Sequence, residues 1–382
     1  MSRPIRILHV TSSLNYGGLE RLIVDICLSM DKSRFQPFVA CLKYKGDLAP
    51  EVEAAGVPVT ALNEEVAQSR KYSSFGRLER LIRSQGIDVV HTHNTGPLVD
   101  TLFARLRRFA PIHVVHTDHT RPTWPDKRKY MLLEWLASYW VSAMVAVSDA
   151  AKADLVHYEK IAEQRISVID NGINVNRFDE PSIPTEQWRR ETGLAEFDHV
   201  VGVLAMHRRQ KGITHFLKAI PGILRQFPRA GFVIGGGGPL QQEHEAEAKA
   251  LGIEGHVRFI GRRNDVVDVL HAMDVYVLPS ESEGLPIGLL EAMAASRCIL
   301  ATSVGAVPKV LADGQAGILV PPKEPEAITN AVCELLRDDE RRKALGHEAR
   351  ARVEEAFSIQ STVSAYERLY EQAVQRSARK GA

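Results

Sequence analysis

The feature that most constrains this chain is a regular alternation of short apolar runs with amphipathic segments, kept up almost from end to end. IRILHV (5–10) reads as a buried strand, and GLERLIVDICLSM after it places Leu19, Leu22, Ile23 and Ile26 at helical spacing. FVACL, DVVHTH, IHVVHT, AMVAVS and ISVID repeat the strand pattern, each separated by a helix-length segment. Such alternation predicts parallel sheets covered by helices on both faces. The rhythm pauses over 174–195, a polar stretch that holds Asn174, Asn176, Pro181 and Pro184, then restarts with HVVGVLAM, AGFVIGG, VRFIG, VYVLPS, CILATS and GILVP. The expectation is therefore an α/β protein of two doubly wound, Rossmann-like domains, residues 1–175 and 176–358. Ligands bind at the carboxyl ends of strands in such sheets, so the two domains are expected to face one another across a shared cleft. The segment from 359 to 382, opening IQSTVSAYERLYEQAV, reads as a helix that crosses back onto the first domain.

Composition narrows the function classes. At 382 residues the chain exceeds the size at which one core keeps growing, which agrees with two domains. Lys+Arg number 48 against 47 Asp+Glu, a net charge of +1 that lacks the basic footprint of a nucleic-acid binder. Cys27, Cys41, Cys298 and Cys333 lie far apart and read as small buried residues of a reducing compartment. MSRPIRILHV moves straight into a strand without a leader pattern, and no apolar run reaches the ~18 residues that span a bilayer. The expected location is cytoplasmic, at most peripheral to the inner face of the membrane.

The richest segment is SESEGLPIGLLEAMAA, which follows the strand VYVLPS. Pro286 suits the first turn of a helix, where its missing N–H costs nothing. The helix would begin beside Gly284, Leu285, Pro286 and Ile287, with free backbone N–H groups and a positive dipole end that suit a diphosphate. Glu291 lies further in, among Leu289, Leu290, Ala292 and Met293, and a buried carboxylate there needs partners such as the two hydroxyls of a ribose. A glutamate paired with Arg297 is the plain alternative.

With these residues in view, the chain resembles the family 4 retaining glycosyltransferases of GT-B fold (glycosyl transferases group 1) over essentially its whole length. Glu283 and Glu291 match the family's E-x7-E signature, and MDVYVLPS before it, with TSVGAVPKVL and GILVPP after it, follows the family pattern. The resemblance implies that Glu291 holds the nucleotide ribose, that Glu283 lies near the transferred sugar, and that the amides between them meet the sugar and diphosphate. It also implies a nucleotide-diphosphate sugar as donor. The acceptor would be a glycan, a lipid-linked molecule or a small molecule, in the synthesis of bacterial surface polysaccharide or glycoconjugates.

Other pieces of the site take their roles from the same resemblance. In LAMHRRQKG (204–212), Lys211 and a nearby arginine would neutralise the leaving diphosphate. The arginine frequent five residues before that lysine is Met206 here, so Arg208 takes the part, with Arg209 as the fallback; a solvated basic turn is the alternative. Gly237, in the run IGGGGP, would line the nucleotide pocket, although GxGxxG spacing is missing. Arg262 matches a position that borders the base, or it is a surface arginine. Gly17 and Gly18 open the first helix, either as a tight turn or as a close approach to donor phosphates and acceptor. Lys309 and Asn174 stand where acidic residues are frequent in the family.

Histidines gather in HTHN (91–94) and HTDHTR (116–121). His91 and His93 would share a strand face, but no carboxylate or cysteine completes a metal site, and the spacing of His113, His116 and His119 suits no strand face. They read as satisfied core or loop histidines, except His119, whose position resembles the family's active-site histidine that contacts the donor sugar. No Asp-x-Asp occurs to hold a metal on a diphosphate, so no metal and no cofactor is expected. In DKRKYMLLEWLASYW (126–140), Lys127, Arg128 and Lys129 precede an aromatic-rich helix that would suit an anionic membrane surface. Leu132, Leu133 and Leu136 instead suit a core face, which is the favoured reading. Two rivals remain: a non-catalytic nucleotide-sugar-binding protein, and a dinucleotide-dependent oxidoreductase, which would need a GxGxxG that neither half provides.

Overall fold

The computed structural model describes residues 3–63, 74–106, 112–119 and 128–381, with 128–130 and 376–381 as backbone only. The chain divides into two compact units, one made of Met1–Gly172 with Ile359–Ala382 and the other of Ile173–Ser358.

The first unit is built on a seven-stranded sheet: β1 (Ile5–Thr11), β2 (Phe35–Cys41), β3 (Val59–Ala61), β4 (Val89–His93), β5 (His113–Asp118), β6 (Ala143–Ala146) and β7 (Ile166–Val168). The order is β3-β2-β1-β4-β5-β6-β7, and every pair is parallel. The strands are apolar on both sides because helices cover both. Leu8, Val10, Phe38 and Ala40 pack with Leu78 and Ile82 on one side. Val39 and Cys41 pack with Ile23, Val24 and Cys27 on the other. Each valine, leucine, isoleucine or phenylalanine among them contributes about 1.5–3 kcal/mol by leaving water.

The second unit repeats the plan with six parallel strands: β8 (His199–Leu204), β9 (Ala230–Gly235), β10 (Val257–Gly261), β11 (Val275–Leu278), β12 (Cys298–Thr302) and β13 (Ile318–Val320), in the order β10-β9-β8-β11-β12-β13. Phe216, Leu217 and Ile220 of the helix Ile213–Leu224 pack on Val201, Val203, Phe232 and Ile234. In each sheet the strand order reverses once, between β1 and β4 and between β8 and β11. In sheets of this kind ligands bind at such reversals, outside the carboxyl ends of the strands.

The polar stretch 174–195 is no bare connector. It folds into a short helical turn, Val175–Phe178, and a helix, Thr185–Glu191, and buries Phe178 and Trp188 in the second unit. Trp188 Nε1 donates to Asp265 Oδ2 at 3.0 Å, and Arg189 donates to the Ala272 carbonyl. The closing helix, Ile359–Gly381, packs in the first unit against β4, β5 and the helix Gly18–Ser29. Its Tyr366 and Tyr370 are fully buried, and Glu367 accepts a hydrogen bond from the Asp31 N–H at 2.9 Å. All four cysteines are free and buried.

The expectation for Leu132, Leu133 and Leu136 is overturned. The helix Arg128–Ser138 buries Met131, Glu134, Ala137 and Ser138, and the three leucines lie on its other side, 57%, 42% and 47% exposed. The helix carries apolar residues all round, and its buried side includes Glu134, which lies beside Asp118 and Glu159. Lys127 lies outside the described residues. Among the described residues no helix is long and apolar enough to cross a membrane.

Candidate active site

At the reversal of the second sheet, the loop after β8 and the loop after β11 bring Lys211 and Glu283 together. Lys211 sits in a short helical turn, Arg209–Lys211, and its Nζ donates to Glu283 Oε1 at 2.7 Å and Oε2 at 2.9 Å. Glu283 is buried, and Ser280 Oγ adds a hydrogen bond to Oε1 at 2.6 Å. The Ser280 carbonyl is in turn held by Thr302 Oγ1 at 2.6 Å, from the end of β12. A second pair flanks the first: Glu281 accepts from Lys323 at 3.1 Å and lies 2.9 Å from His215 Nε2.

The loops are joined by backbone as well. Gly212 has φ +63, and a Cβ there would collide with the Pro279 carbonyl. A Cβ on Gly236, at φ +126, would collide in the same way with the Ala205 carbonyl, so the glycine lets the end of β9 seat against the loop after β8. The His207 N–H donates to the Gly237 carbonyl at 3.0 Å. Gly237 and Arg262, singled out separately in the sequence, are neighbours: Arg262 Cγ stands 3.2 Å from the point where a Cβ on Gly237 would be. Arg262, Arg208 and Arg209 are exposed, and the Arg208 guanidinium makes no hydrogen bond or ion pair with the described residues.

Gly284, Leu285 and Pro286 lead into the helix Ile287–Ala294, where Pro286 is the residue before the first turn instead of within it. The Gly284 carbonyl accepts from the Ala306 N–H at 3.2 Å, which ties this entry to the loop after β12. The first N–H groups of a helix have no partner in its own ladder, and their dipole end is positive. Glu291 differs from the expectation: it is partly exposed, although Leu289, Leu290, Ala292 and Met293 beside it are buried. Arg297 donates to the carbonyls of Ala295 and Met273, at 2.8 and 3.1 Å. Under the helix lies a group that sequence reasoning passed over. The Tyr276 hydroxyl is buried without a hydrogen-bond partner, 3.1 Å from where a Cβ on Gly288 would stand. Burial, with Glu291 and Glu283 adding to it, pushes this phenol far above its ordinary range. A tyrosine inside an apolar strand carries no sequence signal beyond core packing.

In the first unit, Gly17 precedes the helix Gly18–Ser29, and a Cβ on Gly17 would meet the carboxylate of Glu20. An acidic group thus already lies beside the helix opening that Gly17 and Gly18 were expected to offer to phosphate. His119 follows β5, partly exposed, with its N–H on Asn94 Oδ1 at 3.3 Å; Asn94 adopts φ +66 at the end of β4. Behind His119 runs a row of imidazoles: His119 Nε2 is 3.1 Å from His93 Nδ1, and His93 Nε2 is 3.2 Å from His9 Nδ1. His9 was missed in the sequence because only the β1–β4 pairing sets it opposite His91. His91 directs its own nitrogens to Tyr370 OH at 2.7 Å and Thr117 Oγ1 at 2.8 Å. Burial pushes His9, His116 and His119 down to about 3, and His91 and His93 well below their ordinary value. Among the described residues two trios place possible ligand atoms within 4.8 Å of one another: His9, His91 and His93, and Asp118, Glu134 and Glu159.

Residues 184–352 match the family described as glycosyl transferases group 1, and residues 16–177 match Glycosyltransferase Family 4. Over 381 residues the chain is 26% identical to the UDP-Gal:alpha-D-GlcNAc-diphosphoundecaprenol alpha-1,3-galactosyltransferase of Escherichia coli, covering 96% of each chain. It is 27% identical over 346 residues to the D-inositol 3-phosphate glycosyltransferase of Corynebacterium glutamicum (strain R), covering 85% of this chain and 82% of that one. In fold it resembles HepE of Anabaena in complex with UDP and glucose, with a TM-score of 0.83, 18% identity, and coverage of 96% of this chain and 100% of that one.

Proposed function

The chain belongs to the group 1, family 4 glycosyltransferases of GT-B fold, and from that premise we propose that it transfers a sugar, with retention and without a metal, from a nucleoside diphosphate sugar to a glycan or lipid-linked acceptor. The observation that carries this reading is the meeting of Lys211 and Glu283 at the strand-order reversal, beside the opening of the helix Ile287–Ala294. A diphosphate placed at that opening meets helix N–H groups and the Lys211 ammonium together. Lys211 and Arg208 take up the charge that grows on the leaving diphosphate, which lowers the barrier by electrostatic stabilisation. Glu291 receives the ribose hydroxyls, and Gly237 and Arg262 border the base. Glu283 and His119 are assigned to the transferred sugar, and Gly17 and Gly18 to the donor phosphates and acceptor. Supporting a uridine nucleotide, the solved structure of HepE holds UDP and glucose. A lipid-linked acceptor finds support in the Escherichia coli relative, whose name specifies a diphosphoundecaprenol substrate.

The exposed residues Leu132, Leu133 and Leu136, with Tyr139 and Trp140 just beyond the helix, favour contact with an anionic membrane surface, and the sequence sets Lys127, Arg128 and Lys129 a few positions ahead of them. Acidic vesicles should then sediment the chain, and Leu133→Ser with Leu136→Ser should release it.

A thermal-shift panel of nucleoside diphosphates and their sugars tests the main reading. Stabilisation by one nucleoside diphosphate is expected, and none from any would sink it. Activity that disappears with EDTA and returns with a divalent cation would refute transfer without a metal.

A further inference from the structure

The row His9, His93 and His119 has a property that none of its members has alone. A neutral imidazole carries one N–H and one lone pair. Burial keeps all three rings neutral near pH 7. The two contacts, His9 Nδ1 to His93 Nε2 at 3.2 Å and His93 Nδ1 to His119 Nε2 at 3.1 Å, therefore have only two complete arrangements. In one, every Nδ1 carries the proton and each ring donates toward His119, whose own Nδ1–H is left pointing onward. In the other, every Nε2 carries the proton, and His119 Nδ1 offers a lone pair. Both free ends are buried, and among the described residues His9 Nε2 and His119 Nδ1 make no hydrogen bond.

We propose that His9 and His93 are positioning residues that set the tautomer of His119, so that His119 Nδ1 is a fixed hydrogen-bond donor to a ligand oxygen. The choice between the two arrangements comes from charge. The cation acting on His9 is Lys32, whose ammonium is held by the Cys27 carbonyl. A positive charge acting on His9 favours a lone pair over an N–H on the ring nitrogen left free, Nε2, and that choice passes ring by ring to His119. The titratable neighbours do not oppose it. His91 is occupied by Tyr370 and Thr117, and His116 Nδ1 meets Thr92 Oγ1 at 2.9 Å; burial keeps both uncharged. Asn94 fixes the backbone of His119, so the ring has a defined direction. The proposal rests on the assignment of His119 to the transferred sugar, where an N–H would hold a sugar oxygen.

The test is the imidazole nitrogen spectrum of the full chain with labelled histidine, at pH 7 and without substrate. His9, His93 and His119 are expected as Nδ1–H tautomers. In His9→Leu, which does not touch His119, and in His93→Leu, the His119 signals should shift toward a mixture of tautomers. His119 found charged or as the Nε2–H form in the native chain overturns the proposal, whether or not the variants fold. So does a His119 tautomer unmoved in both variants. One equivalent of zinc, retained through dialysis by the native chain and lost in His9→Leu, also overturns it, because a metal would take the lone pairs that the row needs. In kinetics, His93→Leu should lower kcat about tenfold with KM for the nucleotide sugar nearly unchanged, and His93→Gln should recover part of the loss. Failure of sugar transfer altogether would leave the spectra unaffected, so the two readings fail separately.

Discussion

Lys211 and Glu283 stand 72 residues apart in the chain and meet through two hydrogen bonds, one to each carboxylate oxygen. Glu283 is 7% exposed and Lys211 24%, so each ion depends on the other. Lys211→Met should destabilise the second unit by about 3 kcal/mol, because it leaves a carboxylate buried beside an apolar chain. The double variant Lys211→Met, Glu283→Gln should recover most of that stability and none of the transfer. Urea unfolding and turnover, measured on both variants, check this. Recovery of turnover in the double variant would show that the pair serves stability alone.

Glu291→Ala should weaken nucleoside diphosphate binding about tenfold, the value of a charge-assisted hydrogen bond to a hydroxyl. Glu283→Gln should leave that affinity nearly intact and lower turnover. Calorimetric titration with the nucleotide that gives the largest thermal shift separates the two. Equal losses of affinity would contradict the division of labour between the glutamates.

Gly212→Ala should be poorly tolerated although it adds a single methyl group. The backbone is left-handed there, and the new carbon would press on the Pro279 carbonyl. A loss of about 2 kcal/mol or more is expected in chemical unfolding. Gly252→Ala makes a useful control: it shares the positive φ but meets nothing within 4 Å, so its loss should be clearly smaller.

Acid should unfold the first unit early. His9, His116 and His119 stay neutral in the folded chain down to about 3, while unfolded histidines bind protons near 6.5. Between those values the unfolded state holds more protons, so stability falls as pH drops below about 6.5, by up to 1.4 kcal/mol per pH unit for each such histidine. Urea midpoints from pH 7.5 to 5 check the slope. A flat profile would mean that the histidines charge in place.

Glu159 titrates in the opposite sense. Burial, and then Glu134 and Asp118, push its carboxyl far above the usual carboxylate range. The folded chain keeps a proton that the unfolded chain releases, so this group's contribution falls as pH rises above about 4.5. Glu159→Gln should therefore raise the thermal midpoint at pH 8 and leave it nearly unchanged at pH 4.

Much of this was legible in the sequence, for physical reasons that differ by element. Twelve of the strands announce themselves as apolar runs, because a parallel sheet covered on both faces needs both sides of a strand to be apolar. β3 does not, since the three residues of VTA are too few to show a pattern. Glu283, Glu291 and Lys211 are legible as a motif, yet the bond between Lys211 and Glu283 is not, because strand order decides which loops meet. His9 is hidden for the same reason: it faces His91 only after β1 pairs with β4. The helix Arg128–Ser138 misled because apolar residues surround it, and nothing in the spacing says that Glu134 turns inward.

The closing helix has a consequence for how the molecule is made. Tyr366 and Tyr370 fill the first unit beside β4 and β5, but they follow the whole second unit in the chain and leave the ribosome after it. The second unit, Ile173–Ser358, is continuous and can finish folding while synthesis continues. The first unit, although its sheet is synthesised earlier, must wait with an open seam until the helix Ile359–Gly381 arrives. A premature stop near residue 358 would therefore spare the later-made half and ruin the earlier one.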